Sequence, residues 1–311
     1  MVDKVVMTTP VPAVRRNPGP SWGFHFLLWA ERWWPRWLFR PVLMAGTWVG
    51  LAFMPAQRAA SRAYLTQVLG RPPRLVEVWA HFYAFADFLL LKLRAGRGVP
   101  LQCTMAPENR AAFEALAGSD RPALFGTFHF GWSDMLGYLL SDWNRQVSVL
   151  RTRVGNSEDT RLLGERFGGK GVSFLWVNDP ANFLFELKDA LQGGVSLALK
   201  CDRLDFSART EVFEFLGARR VFPFTIYFLA VLFDRPVVFC LGLPGAEPDS
   251  LRVVASPVFT PDPKLSRKEN LAVAHAHFQG VLRQLEAWLR QRPDLWFNFL
   301  PLNPVATTPA T

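Results

Sequence analysis

The sequence predicts an α/β protein built on a largely parallel central sheet flanked by helices, preceded by an N-terminal helical region that associates with a membrane. Three observations lead there. After Pro100, short apolar runs alternate with helix-length stretches, as in a sheet covered on both faces. The charge is uneven: residues 1–100 hold 13 Lys and Arg against 4 Asp and Glu, so they carry the whole +9, while the remaining 211 residues hold 22 of each. The same basic third contains seven of the twelve tryptophans, Trp22, Trp29, Trp33, Trp34, Trp37, Trp48 and Trp79. At 50% hydrophobic and 20% charged residues, the 311-residue chain is too apolar to be intrinsically disordered.

Residues 1–20 form a proline-bearing, flexible lead. From Trp22 to Arg40 the apolar residues are interrupted by Glu31, Arg32, Pro35, Arg36 and Arg40, the pattern of an interfacial segment. Pro41–Gln57 then runs 17 residues without a charge, at the lower limit for a membrane-spanning helix, with Pro41, Gly46, Gly50 and Pro55 weakening it. A spanning helix, a re-entrant helix and an ordinary buried helix all fit. Arg58–Gly70 is amphipathic, and Leu75–Leu93 is a strongly apolar helix ended by Gly96 and Gly98. Trp rings and Arg side chains both favour the headgroup zone of a bilayer, so residues 21–100 are expected to meet an anionic membrane surface. Nucleic acid is not the expected partner, because the basic and aromatic residues flank long apolar stretches rather than sitting on short alternating strands.

Residues 101–303 carry the α/β pattern, with 304–311 as a tail. Strands are expected at Ala123–Phe128, Gln146–Arg151, Val172–Val177, Val195–Cys201, Pro236–Leu243 and Leu251–Val258. Helices are expected near Ser133–Ser141, Asp159–Phe167, Ala181–Gln192, Phe222–Phe233 and Ser266–Arg292, the last ended by Pro293. The lead has no signal-peptide pattern, and Cys103, Cys201 and Cys240 form no CxxC pair. A reducing, cytoplasmic setting follows, with no disulfide framework and no metal site. His275 and His277 sit two apart on a helix and face different ways. Cys201 reads as a small buried hydrophobe.

Parallel sheets place their sites at the carboxyl ends of strands. The strand Ala123–Phe128 runs directly into His129-Phe130-Gly131-Trp132-Ser133-Asp134. Across that turn, permitted by Gly131, Asp134 would accept the proton of one imidazole nitrogen and leave the other basic. His25, His81, His275 and His277 lie in helical segments with no acid at the same offset. Spacing alone equally allows a structural His129 beside a helix N-cap formed by Ser133 or Asp134.

The stretch Gly126–Asp134 resembles the HX4D block of the lysophospholipid acyltransferase superfamily, especially the bacterial branch near the late acyltransferases of lipid A biosynthesis. Leu199-Lys200-Cys201-Asp202-Arg203 resembles the acidic motif after a core strand, and Phe215-Leu216-Gly217 with Phe222-Pro223 resembles an FLG…FP block. Arg235-Pro236-Val237-Val238 resembles the strand beyond it. Pro293-Asp294-Leu295-Trp296-Phe297-Asn298-Phe299 resembles the ending of predicted acyltransferases, some encoded in aryl-polyene clusters. The resemblance covers about residues 20–303 and implies a glycerolipid-acyltransferase-like fold. It also implies transfer of an acyl chain from acyl carrier protein or coenzyme A, with acyl carrier protein favoured, to a hydroxyl or amine of a lipid or glycolipid. His129 would be the general base and Asp134 its orienting partner. Backbone amides near Trp132–Asp134 would stabilise the oxyanion. Arg151, Arg153 and Arg203, after strand ends, are candidates for substrate phosphates, each with a surface role as the alternative; Asp202 is a site candidate or a helix cap. The implied location is the cytoplasmic face of the bacterial inner membrane, with no bound cofactor. The alternative is a non-catalytic lipid-binding or scaffold protein that retains the fold.

Overall fold

The computed structural model describes residues 21–141, 143, 145–151, 171–176, 180–204, 207, 209–247 and 249–306. Its centre is a mixed, mostly parallel seven-stranded sheet in the order β1-β9-β8-β2-β5-β3-β4, with β1 Gln102–Met105, β2 Leu124–Thr127, β3 Val147–Arg151, β4 Val172–Trp176, β5 Ser196–Lys200, β8 Val237–Pro244 and β9 Ser250–Ala255. β8, β2, β5, β3 and β4 run parallel; the β8–β9 pair is antiparallel and turns β9 and β1 the other way. All six expected strands form, within about two residues at the ends except for Leu251–Val258, which stops at Ala255. β1 was not expected: its four residues pair only along β9 and are half exposed, which leaves little hydrophobic periodicity to read.

The FLG…FP block is a separate antiparallel hairpin, β6 Thr210–Phe215 and β7 Ala218–Pro223. Its two turn residues, Leu216 and Gly217, have φ of 50° and 72°, as the primed turn of a two-residue hairpin requires. The helix expected from Phe222 therefore starts only at Thr225 and runs to Phe233 (α8). Pro180–Gln192 is α7, and the final helix α9, Arg267–Gln291, opens with a Ser266–Glu269 capping box. Residues 110–117 form α5, and 133–141 form a short 3-10 turn leading into α6, Leu136–Ser141. The expected helix Asp159–Phe167 lies outside the described residues.

Four helices precede the sheet: α1 Ser21–Trp33, α2 Arg36–Phe53, α3 Pro55–Leu69 and α4 Leu75–Gly96. α3 and α4 share the main hydrophobic core with the sheet through Tyr64, Leu65, Val68, Val78, Phe82, Phe88 and Leu91. α1 and the first half of α2 pack on α4 through a small separate cluster, Ala30, Phe39, Leu43 and Leu90. On α2 the stripe Leu43, Thr47, Leu51 is buried, while Met44, Trp48, Val49 and Phe53 face outward. Among the described residues no single helix is long and apolar enough to cross a membrane; Trp37–Phe53 with Pro55–Leu69 passes only as a pair bent by 97° at Met54. Of the three readings of Pro41–Gln57, a straight span is therefore the one this geometry does not provide.

The core beneath the site is aromatic. Phe278 of α9 is fully buried and its ring lies 5.0–6.5 Å from those of Phe213, Phe222, Phe224, Tyr227, Phe239 and Phe128, tying helix, hairpin and sheet together. Phe278→Ala is expected to lower unfolding free energy by about 3–5 kcal/mol, measured by urea titration in detergent, because the cavity is walled by stiff rings that collapse poorly. A cost below about 1 kcal/mol would show that this cluster does not support the fold.

Candidate active site

β2 is the central strand, buried along most of its length, and β5 runs parallel beside it with Thr127 opposite Lys200. Two residues beyond each of these come His129 and Asp202, so register alone brings an imidazole and a carboxylate together at the carboxyl edge. His129 Nδ1 lies 2.7 Å from Asp202 Oδ1, and the His129 backbone N–H donates to Oδ2 at 2.8 Å. A carboxylate only accepts hydrogen bonds, so Nδ1 carries the proton and Nε2 is left as a base. A second donor, the Trp296 indole Nε1–H, reaches Asp202 Oδ2 at 2.9 Å.

This corrects the expected pairing. The acid on the His129 imidazole is Asp202, 73 residues away in sequence, and not Asp134. Asp134 is held by two ammonium groups instead: Lys92 Nζ of α4 at 2.7 Å from Oδ2 and Lys200 Nζ of β5 at 2.5 Å from Oδ1. Neither Ser133 nor Asp134 caps the following turn. The Ser133 hydroxyl donates back to the Phe128 carbonyl at 2.6 Å, and the N-cap is Trp132.

Electrostatics favour the base form of the pair. The His129 side chain is 20% exposed; burial pushes its pKa down, the Arg203 and Lys200 charges push the same way, and Asp202 opposes them. Burial works to raise the pKa of Asp202, but the adjacent imidazole, its hydrogen bond, the Arg203 guanidinium and the Trp296 indole hold it below the ordinary carboxylate range. At neutral pH the pair is a neutral imidazole on an ionised carboxylate. Cys201 is buried, and burial first and the Asp202 charge second raise its thiol pKa, as expected for a small core residue rather than a nucleophile.

The turn after His129 is fixed by backbone. Gly131 has φ 51°, and a Cβ there would lie 2.1 Å from the Gly242 carbonyl oxygen of β8. Gly242 is equally constrained from its own side: a Cβ would come within 2.9 Å of the Trp132 carbonyl carbon. With both side chains absent, the Trp132 N–H donates to Gly242 O at 2.8 Å and the Gly131 N–H to Leu295 O at 2.7 Å. The amides of Gly131 and Trp132 are thus committed to the fold, so the expected oxyanion donors do not include that of Trp132.

The C-terminal segment Pro293–Phe299 crosses the site as a strap. The Phe297 N–H donates to His129 O at 2.7 Å, and Asn298 Oδ1 accepts from Arg203 Nε at 2.8 Å. Trp296 is held in turn by α3 and α4. Its carbonyl lies 2.7 Å from His81 Nε2, which must therefore be the protonated nitrogen, and His81 Nδ1 accepts from the Ser61 hydroxyl at 2.8 Å. The Tyr64 hydroxyl donates to Pro293 O at 2.9 Å. Arg203 thus meets the strap and the field of His129. Arg151 ends β3 at the same edge of the sheet, and Arg153 lies outside the described residues. Among the described residues no group of three or more His, Cys, Asp or Glu could hold a metal ion.

Sequence reasoning did not single out Lys92, Lys200, His81, Trp296 or Gly242 as site residues. Lys92 does leave a signal, a lone charge interrupting the apolar run Phe88–Leu93, and so does Lys200, a charge closing the strand Ser196–Lys200. Gly242 leaves none, because only the crossing of β8 by the His129 turn requires it.

The chain was compared with known proteins. No family model matches it, and no curated protein does. Among solved structures it is similar to 1-acyl-sn-glycerophosphate acyltransferase PlsC from Thermotoga maritima, at 16% identity over 81% of this chain and 97% of that one, with a TM-score of 0.40.

Burial lowers the pKa of His81 from 6.5 to about 4, and its hydrogen bond to Trp296 only partly opposes this. A depressed histidine pKa means that the unfolded chain binds the proton first, so stability is full above about pH 6.5 and falls as pH drops toward 4. Between pH 7 and pH 5 wild type is expected to lose about 2 kcal/mol more than His81→Gln, read from urea unfolding at both pH values. Equal losses in the two proteins would refute the neutral, buried His81.

Proposed function

We propose that this protein is a membrane-associated acyltransferase that moves an acyl chain from a thioester to a hydroxyl or amine of a lipid or glycolipid acceptor. The observation that carries the reading is the His129–Asp202 pair: an imidazole with Nδ1 held by a buried carboxylate and Nε2 left basic, at the carboxyl edge of the central strand. In the reaction, Nε2 accepts the acceptor proton as the oxygen or nitrogen bonds to the thioester carbonyl carbon. The tetrahedral intermediate collapses, the carbon–sulfur bond breaks, and the imidazolium returns its proton to the thiolate. Acyl group, proton and electron pairs balance without a covalent enzyme intermediate. Asp202 keeps the imidazole in the reactive tautomer and stabilises the imidazolium as it forms. Base catalysis of this kind is typically worth about 10²–10⁴ in rate.

The donor we favour is acyl carrier protein, an acidic partner suited to the basic N-terminal third, with coenzyme A as the alternative carrier. The N-terminal helices are the proposed membrane contact. Trp29, Trp33, Trp37, Trp48 and Phe53 project from α1 and α2, with Trp37 76% and Phe53 81% exposed, and Arg32 and Arg40 are exposed among them. Large exposed apolar side chains in such number mark an interaction surface, and Trp with Arg matches the chemistry of an anionic headgroup region. The proposed location is the cytoplasmic face of the bacterial inner membrane.

Mass spectrometry of lipid extracts from expressing cells tests the chemistry. A species heavier by one acyl chain is expected with wild type, absent with His129→Ala, and reduced about 10²–10⁴-fold with Asp202→Asn, which removes the acceptor that fixes the tautomer. Unchanged product with folded His129→Ala would refute the general base. Membrane contact is tested by fractionation: the intact chain should stay with membranes through a high-salt wash and leave in detergent, as an inserted apolar face requires. Release by salt alone would reduce the contact to electrostatic adsorption.

A further inference from the structure

Two arginines share one aromatic ring where α8, the start of α9 and the start of β6 meet. The Arg209 guanidinium lies 4.8 Å, and that of Arg267 4.4 Å, from the centroid of the Phe228 ring. Their charges are therefore no more than about 9 Å apart, close to the screening length of physiological salt. Both side chains are exposed, and among the described residues neither has an acidic partner. Each cation gains from the ring face while the two repel one another, an arrangement that an incoming anion improves. Leu232, one turn further along α8 and so on the same side of that helix, is 52% exposed. Lys264, Leu265 and Lys268 are exposed at the start of α9. The acids of that segment serve the helix start: Glu269 Oε2 accepts from the Ser266 N–H and Asp262 Oδ1 from the Lys264 N–H, both at 2.8 Å. Four cations thus surround an apolar centre, with Glu211 as the further exposed acid beside it.

The placement of this surface narrows what it meets. Arg267 opens α9, a helix of 25 residues and about 37 Å, and α3 meets the chain at Pro293, just past the opposite end. The apolar face of α1 and α2 is committed to the proposed membrane contact, so a soluble partner needs a surface of its own. Phe278, whose ring faces that of Phe128 beside His129, lies eleven residues or about 16 Å along α9 from Arg267. The segment that leaves Asp202 ends at this surface. The Arg209 carbonyl accepts from the Phe224 N–H at 2.8 Å, and the Ser207 and Thr225 hydroxyls lie 2.8 Å apart. A partner seated on Phe228 therefore stands off from the imidazole by a span suited to an acyl group carried on a long arm.

We propose that Arg209, Arg267, Phe228 and Leu232 form the docking surface for an acidic carrier protein that delivers the acyl thioester. The guanidiniums take carboxylates of the partner, and Phe228 with Leu232 takes an apolar side chain between them. The basic N-terminal third attracts the same partner at long range, and this surface fixes where it lands. That the carrier brings a reacting thioester rests on the acyl-transfer proposal above; that an acidic carrier docks here is measured without any turnover.

Fluorescence anisotropy of a labelled bacterial holo acyl carrier protein, titrated with the full chain in detergent, tests the surface. Wild type should bind in a saturable, salt-sensitive way. Arg209→Glu and Arg267→Glu should each bind about tenfold more weakly, and Leu232→Asp at least fivefold more weakly. Arg283→Glu makes the same change of charge at an exposed position further along α9 and should keep wild-type affinity. In turnover, Arg209→Glu and Arg267→Glu should raise KM for the acyl carrier thioester and leave transfer from a short acyl-pantetheine thioester unchanged. No binding by wild type, or equal affinity in wild type, Arg209→Glu and Arg267→Glu, would overturn the proposal. An equal loss in Arg283→Glu would overturn it too, by reducing the effect to overall charge. Release of Arg267→Glu from anionic vesicles with carrier affinity unchanged would make the surface a lipid contact instead. Carrier binding that depends on Arg209 and Arg267, in a chain whose His129→Ala variant loses no acylated lipid, would refute the reaction and leave the docking surface standing.

Discussion

One buried carboxylate holds the site together. Asp202 is buried, where an isolated charge would be expelled or neutralised, and it stays ionised because three donors converge on it beside the Arg203 guanidinium. Two come from His129 and one from Trp296, so strand β2, strand β5 and the C-terminal strap cannot move apart without stranding a charge. The same contacts set the chemistry. A carboxylate that is never protonated near neutral pH leaves the imidazole one tautomer, and the nitrogen facing away from it is the basic one.

The demands of that carboxylate spread outward through backbone. The strap must pass close enough for the Phe297 amide to meet the His129 carbonyl and for the Trp296 indole to reach Asp202. To hold it there, α3 and α4 contribute the Tyr64 hydroxyl and a buried histidine locked between Ser61 and the Trp296 carbonyl. On the other side, the turn after His129 rests on β8 where two glycines face each other. The site is thus assembled from six separated stretches of chain, each bonded to at least one other, and this is the rigidity a positioned base needs.

The N-terminal helices divide between two tasks. α3 and α4 belong to the core and reach the site directly, through His81 and Lys92. α1 and α2 touch α4 by a small cluster and turn large aromatic side chains outward. These exposed aromatic side chains, with basic residues around them, are the basis of the proposed membrane contact. α4 lies between α1 and α2 on one side and the site residues on the other.

Much of the fold was legible in the chain itself. Apolar runs bounded by Gly and Pro placed six strands, because a strand buried on both faces needs continuous hydrophobicity whatever its neighbours are. His129 stood out because a histidine at a strand's carboxyl end, before a glycine turn, is visible locally, and Gly131 was read correctly as the residue that allows the turn. The partner of His129 was not legible. Spacing measures separation along the chain, and the five-residue offset to Asp134 was the nearest local solution; parallel pairing of β2 with β5 put Asp202 closer and gave Asp134 to two lysines. Gly242, His81 and Trp296 act on the site through contacts whose partners lie between 94 and 215 residues away, and no pattern along the chain encodes such distances. The sequence by itself determined six of the seven strands of the central sheet, the basic tryptophan-rich end and the histidine; only the tertiary structure decided which acid serves it, since that choice depends on strand register, a property of two segments and not of one.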